Sequence, residues 1–256
     1  MPTTPSRGGG VGGYSADTLY FTTEFSGDNG LNTGRIYLGG TLMAKPSVWE
    51  ELPEPSPYQM VDLGLSSGLK WADRNVGAAT PEAIGDYFMF GSTTPDTDKP
   101  CDWAHAPFND GATAFNETYF SEHVTEWFDF VYTQGPILLY LKPEYDAATQ
   151  VMGGSWRMPT LTDVDELLFE TTQSVEELNG VRGMRFTSNA NGNSIFMPLA
   201  GIRIGSVVDS VGIRGYAWSL YLNAGYTRES WYLDFANSAI THTIDRSDGL
   251  SVRGVC

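Results

Sequence analysis

The chain has 256 residues, 41% hydrophobic and 13% aromatic, with 29 glycines and only 18% charged residues, enough for one large domain, or a domain plus an appendage, with a substantial core. Thirty-one acidic residues against 15 basic ones leave a net charge of −16 and a pI near 4.4, and the few Lys and Arg are scattered, which excludes a phosphate-neutralising nucleic-acid binder and a partner of anionic membrane surfaces. Two cysteines (Cys101, Cys256) and three histidines (His105, His123, His242) give neither a disulfide framework nor a zinc-type spacing, and no stretch approaches the ~18 apolar residues of a membrane helix.

Residues 1–13, MPTTPSRGGGVGG, are Pro-, Ser-, Thr- and Gly-rich and are expected to be disordered. They contain no apolar stretch for a secretory signal and no lipid-attachment cysteine. TLYFTT (18–23) and RIYLGGTL (35–42) read as strands around the turn-rich GDNGLNTG. Four prolines in KPSVWEELPEPSPY (45–58) mark a linker with a boundary near Ser56. The expected division is a flexible N-terminus and small β attachment or oligomerisation segment over 1–57, and a main domain over 58–256.

In the main domain, Met60 to Ala78 reads as a strand, a tight SSG turn and a second strand. Thr80-Pro81-Glu82-Ala83 reads as a short helix start, with Thr80 as N-cap and Pro81 in the first turn. Residues 92–150 carry the weakest signals: a loop at TTPDTDKP, a helix candidate over Phe120 to Tyr132, and Ile137 to Leu141 as strand or helix. Trp156 to Thr172 holds the clearest helix, capped by Thr160 or Thr162 after Pro159, with a buried stripe at Val164, Leu167 and Leu168. VRGMRFTS, then SIFMPLAGIR after the NANGN turn, then the C-terminal segment read as strands. A helix-bearing half followed by strands predicts an α+β fold.

The last forty residues carry the functional signal. Large apolar residues at Trp218, Trp231, Leu233, Phe235, Leu250, Val252 and Val255 frame an unpatterned set of polar and aromatic residues. A fixed frame holding arbitrary polar groups suits a binding surface, whereas catalysis needs particular groups in particular places. Alternation along Trp231-Tyr232-Leu233-Asp234-Phe235 puts Trp231, Leu233 and Phe235 inward and predicts that Tyr232 and Asp234 face outward. The loop after β-like YAWS supplies Tyr221, Asn223, Tyr226, Thr227 and Arg228, of which Tyr and Arg are good anchors.

Six segments in order resemble a Bacteroidetes-type family of C-type-lectin-like domains, the fold shared with the formylglycine-generating enzyme. They are VDLGLSSGLKWADRNVGA, TPEAIGDYFMFG, GGSWRMPT with its following helix, NGNSIFMPLAGIR, YAWS and GLSVRGV, spanning about Tyr58 to Val255. The resemblance implies one or two helices against a twisted antiparallel sheet with long irregular loops. Some members are variable proteins of diversity-generating retroelements, whose C-terminal segment is rewritten by a reverse transcriptase that miscopies adenines. Randomising the first two positions of Asn codons cannot give Trp, Met, Lys, Gln or Glu. None of these occurs in Leu220–Arg228 or Tyr232–Arg253.

What the resemblance implies is a variable region over about 216–255. There Ser238, Thr241, Thr243, Asp245, Ser247 and Asp248 join the residues above as ligand-binding positions. The implied ligand is a protein or glycan on a bacterial surface. Apart from the resemblance, a Gly-rich start with no secretory signal and a small β segment suit an attachment module, so a phage tail is the expected location, with a bacterial cell surface or secretion as the rival, and trimerisation through the N-terminal segment would add avidity. A non-diversified adhesion domain of the same family is the alternative. Enzyme chemistry is not expected: oxidase relatives use cysteines in this half, where only Cys256 occurs, and no GxSxG motif is present. No cofactor or metal is expected either. Asp245-Arg246-Ser247-Asp248-Gly249 resembles part of a calcium loop but lacks its alternating ligands and distal Glu. Arg157 and Arg253 are expected to be structural.

Overall fold

The computed structural model describes residues 19–25, 32–38, 41–44, 58–132 and 137–256. The chain forms two compact units, Met1–Pro55 and Ser56–Cys256. In the first, β1 (Leu19–Phe25), β2 (Asn32–Leu38) and β3 (Thr41–Ala44) form an antiparallel meander. The expected disordered 1–13 and the Pro-rich linker lie outside the described residues.

The second unit is mixed helix and antiparallel sheet, an α+β fold. β4 (Met60–Asp62) and β5 (Lys70–Ala72) pair around the SSG turn, closed by Gly68 N–H to Leu65 C=O at 2.8 Å. Next come α1 (Glu117–Trp127), β6 (Phe128–Val131), β7 (Leu138–Leu141), α2 (Ala147–Met152) and α3 (Leu161–Glu170). β8 (Thr171–Leu178), β9 (Val181–Ser188) and β10 (Ser194–Pro198) form a three-stranded sheet, and β11 (Ile202–Ile204) with β12 (Val207–Asp209) a small hairpin. β13 (Gly215–Leu222), β14 (Glu229–Phe235) and β15 (Ala239–Asp245) complete a five-stranded antiparallel sheet in the order β15-β14-β13-β7-β6. Among the described residues no helix is long and apolar enough to cross a membrane.

Local chemistry explains most boundaries. Thr160 caps α3 in a capping box, its hydroxyl accepting from Asp163 N–H while the Asp163 carboxylate accepts from Thr160 N–H. Asn116 caps α1 by accepting from Tyr119 N–H. The helix expected at Thr80–Ala83 is a single turn, closed by Ala83 N–H to Thr80 C=O at 3.1 Å. It stops because Gly85 sits at φ +78°, with the space for a side chain taken by the Val76 carbonyl 2.4 Å from an ideal Cβ. The Phe120–Tyr132 candidate divides: helix ends at Trp127 and strand follows. Among the described residues three α-helices are present where the resemblance implied one or two.

The five-stranded sheet is covered on both faces. One core gathers Phe88, Phe90, Phe120, Phe128, Trp218 and Tyr232, and the other Leu63, Trp71, Leu167, Phe186, Leu233 and Phe235. The carboxyl-terminal tail runs between the parts. Val76 N–H bonds Val252 C=O, Phe88 and Leu250 exchange bonds, Trp218 N–H reaches Ser251, and Val255 bridges to both Trp71 and Arg157. Cys101 and Cys256 are free thiols.

Arg253 is fully buried. Its guanidinium donates to Asn75 Oδ1, Ala72 C=O and Phe196 C=O, each at 2.9 Å. Arg157, by contrast, is a partly exposed strut to Asp163 Oδ2 at 2.6 Å. Arg253→Met keeps the volume but strands three buried acceptors. The expected loss is about 3–5 kcal/mol, the range for breaking a buried charged network, measured by urea unfolding; a loss under 1 kcal/mol would show that the tail does not need this clamp.

Candidate functional site

The C-terminal hairpin loop faces a second wall across a groove of about 380 Å³, lined by Ala114, Phe115 and Glu117 on one side and Ala224, Gly225, Tyr226, Thr227 and Arg228 on the other. The first wall is built on Asn109, which is buried and uses its whole amide. Its Nδ2 donates to the carbonyls of Trp103 (2.7 Å), Ala112 (2.8 Å) and Ala114 (3.0 Å), and its Oδ1 accepts from Asn116 N–H at 2.7 Å. That network ties the irregular segment before α1 together through one buried amide.

The second wall closes β13 onto β14. Asn223 N–H bonds Glu229 C=O, Tyr226 N–H bonds Asn223 C=O, Glu229 N–H bonds Tyr226 C=O, and the Asn223 side chain accepts from Gly225 N–H. Tyr226, 55% exposed, stands free of the body.

Arg246 joins the walls from beneath. It is fully buried, with the rings of Phe120, Phe115 and Trp103 centred 4.5, 5.3 and 5.6 Å from its guanidinium carbon. Nε donates to Thr227 C=O at 2.8 Å. Burial pulls its pKa down to about 9, still basic enough to stay charged at neutral pH, and the aromatic faces stabilise the cation. Arg228 lies over Trp103 at 5.4 Å and is forked onto the Asp245 carboxylate, with Nε to Oδ1 at 2.6 Å and Nη2 on Oδ2. The hydrogen bond to Asp245 holds the Arg228 guanidinium above its ordinary pKa. The groove is thereby tied to the Asp245–Asp248 loop.

The structure divides the thirteen expected ligand-binding residues. Tyr226, Thr227 and Arg228 line the groove, and Asn223 shapes its loop. Asp245 and the partly exposed Asp248 lie beside it through Arg228. Ser238 is exposed but occupies the β14–β15 turn at the other end of the strands. Thr241 and Thr243 are half-buried on β15, with Thr243 Oγ1 donating to Glu229 Oε2 at 2.5 Å.

Four expectations of display are corrected. Tyr221 is buried, its hydroxyl 2.6 Å from that of Tyr140 and their rings edge to face. Ser247 is buried in the loop. Tyr232 is 6% exposed and Asp234 is 3% exposed. Alternation does separate Leu233 and Phe235 from Tyr232 and Asp234, but the second face is not wet: Tyr232 packs edge-on to Trp218 in the other core. Asp234 is held by Arg214, Nε to Oδ1 and Nη2 to Oδ2, both at 2.7 Å. Burial, then the neighbouring Asp234 charge, pushes the Tyr232 phenol up. Trp231, expected inward, is half-buried.

Sequence reasoning missed Phe115, Glu117, Trp103 and Arg246. The legible signal was Asn116 followed by Glu117, a helix-start pattern that would have put a loop wall at 109–116. Among the described residues no group of three or more His, Cys, Asp or Glu side chains is arranged to hold a metal ion.

Tyr226→Ala is expected to change stability by no more than about 0.5 kcal/mol, as for an exposed side chain. Tyr232→Ala is expected to cost about 3–5 kcal/mol, as for a buried aromatic. Chemical denaturation of the two variants measures both, and equal losses would contradict this division.

Burial, reinforced by Asp245, raises Asp248 to about 7 from 3.8, with Arg228 opposing. The folded state therefore binds a proton the unfolded chain releases, so this stabilisation is complete below about pH 4 and is lost as pH rises through about 7. Asp248→Asn should raise stability at pH 8 by on the order of 1–2 kcal/mol, less than full linkage because the group keeps some hydration. It should change nothing at pH 4; thermal melts at both pH values test this.

No family model, curated protein or solved structure matches the chain.

Proposed function

We propose that this protein is a ligand-binding module, a C-type-lectin-like variable protein of a diversity-generating retroelement, which recognises a protein or glycan on a bacterial surface. The observation that carries the reading is the groove between the Asn109-braced wall and the loop Asn223–Arg228. An exposed tyrosine there stands on a scaffold fixed from behind by Arg246 and by Asn109. A Tyr-bearing loop on a rigid frame loses little entropy on binding, which suits a recognition surface. Every residue of Leu220–Arg228 is reachable from an Asn codon by substitution at its first two positions, which supports diversification. The surface takes Tyr226, Thr227, Arg228 and Asn223 as its centre, with Asp245 and Asp248 beside them. Catalysis, a cofactor and a bound metal have no place in this reading, and a phage tail is the proposed location.

Two experiments test it. Sequencing the DNA around the gene is expected to reveal a near-copy of the segment encoding the C-terminal region, differing at adenines and accompanied by a reverse transcriptase gene. Finding no such repeat leaves the adhesion-domain alternative and rejects diversification. Separately, the purified protein is presented to arrays of bacterial surface glycans and to outer-surface protein extracts. Tyr226→Ala combined with Thr227→Ala should weaken the strongest interaction at least tenfold, the scale of a lost anchor. Unchanged affinity would move the binding surface elsewhere.

A further inference from the structure

β15 is the outer strand of the five-stranded sheet, and among the described residues no strand pairs with its free side. The direction of its backbone groups follows from its neighbours. Tyr216 C=O and Trp218 N–H both bond Ser251, so even-numbered residues of β13 turn away from β14. Their partners on β14 alternate accordingly: Glu229 and Trp231 carbonyls bond Asn223 N–H and Ser219 Oγ on the β13 side, while the Arg228 carbonyl bonds Arg246 N–H on the β15 side. On β15, therefore, Ile240, His242 and Ile244 pair inward, and the N–H and C=O of Thr241 and Thr243 point to the open edge.

Proteins usually blunt such an edge with Lys, Pro, a bulge or brevity. β15 has none of these: it runs seven residues in unbroken register with β14, and its only charge, Asp245, is paired with Arg228 at the end. Its central five residues, Ile240-Thr241-His242-Thr243-Ile244, read the same in both directions. A two-fold axis through His242 would set a second copy antiparallel. It would place Thr241 opposite Thr243 as a hydrogen-bonded pair on both sides, Ile240 opposite Ile244, and His242 opposite His242. Cross-strand Thr–Thr and aliphatic pairs stabilise a sheet, and a self-complementary patch is what a two-fold interface requires. Ile240 is 52% exposed and His242 is exposed on one face of the strand, while α3 packs against β15 on the other.

We propose that this edge is a homodimer interface, joining two five-stranded sheets into one of ten strands through β15. The inference stands on the sheet geometry and does not require the ligand-binding reading. A five-residue seam is much smaller than the ~1,600 Å² of a standard interface, so the dimer is weak, micromolar or weaker. Each copy carries −16, so association is measured at 0.15 M salt or above, where the Debye length is about 8 Å or less.

The test is sedimentation of the full chain over about 1–500 μM, the range a small interface calls for. Wild type is expected to dimerise with concentration. Thr241→Pro deletes an outward N–H, a position where an edge strand accepts proline, and should weaken the dimer at least tenfold while circular dichroism stays native. His242→Glu and His242→Lys each place like charges across the axis and should be monomeric alone, whereas their equimolar mixture should dimerise. This arm decides the matter even if the proline variant fails to fold. A wild type that stays monomeric throughout, a dimer indifferent to these changes, or a mixture no tighter than its parts would overturn the proposal. Ligand binding by a monomeric protein would leave the earlier reading standing and this one refuted.

Discussion

The structure of the second unit depends on a buried carboxyl-terminal tail clamped by one guanidinium. Leu250, Ser251, Val252, Arg253 and Val255 are all buried, and their main chain is shared among β5, the Val76 and Phe88 segments and β13. These segments are irregular or very short, and their backbone groups have no long ladder to satisfy them. Arg253 supplies what a ladder would: one planar donor set bonded to a carbonyl on β5, a carbonyl on β10 and the Asn75 amide. Such a bury-and-bond arrangement fixes three segments relative to each other, and its geometric value exceeds its net energy, because much of the interaction repays desolvation. The side chains from Leu250 to Val255 are thus committed to the interior, and the proposed recognition surface would lie before them.

The sequence made the α+β class, α3 with its Thr160 cap, and β9 readable, because each rests on local chemistry: a capping box, a 3.6-residue stripe, a β-branched and aromatic run between turns. It concealed α2 and β8. Ala147–Met152 is a single short helix whose start is set by Asp146 accepting from Ala148 and Thr149 N–H, and Thr171–Leu178 continues without a break from α3. The inward and outward reading of β14 went astray for a tertiary reason. Period two says which side chains share a face and is silent on what covers it. Tyr232 and Asp234 are amphipathic and charged residues of the kind normally left in water, and partners such as Trp218 and Arg214, 14 and 20 residues away in sequence, make their burial tolerable. The Asn-codon pattern could not separate the cases either, since buried Tyr232, Asp234 and Ser247 are as reachable as exposed Tyr226.

Charge is organised in the same spirit. Against a net −16, the arginines of the C-terminal half act as internal struts: Arg214 to Asp234, Arg228 to Asp245, Arg246 within an aromatic box, Arg253 at the tail. Arg228 was expected as a binding anchor. Forked onto Asp245, it offers an orientated but largely neutralised group, so a ligand bound as proposed would gain pre-organisation from it more than charge. Glu117 adds a negative charge to the groove wall, which would favour ligands that bring hydrogen-bond donors to the loop over ligands that bring anions.

The two modes of recognition proposed for this sheet would respond differently to sequence change. The groove offers side chains from a loop, so substituting Tyr226 or Thr227 rewrites what it presents while Asn109 and Arg246 hold the frame. The β15 edge offers main-chain N–H and C=O, which no side-chain substitution short of proline removes. A surface whose loop is exchangeable and whose edge is not can alter its ligand and still keep one mode of assembly. Exposed Tyr226 lies beyond one end of the β14–β15 ladder, near the Glu229–Asp245 pair, while the two-fold axis would pass through His242 in its middle. Antiparallel pairing through β15 would therefore leave each groove open and set the two at opposite ends of the joined strands, so that assembly would not obstruct either loop.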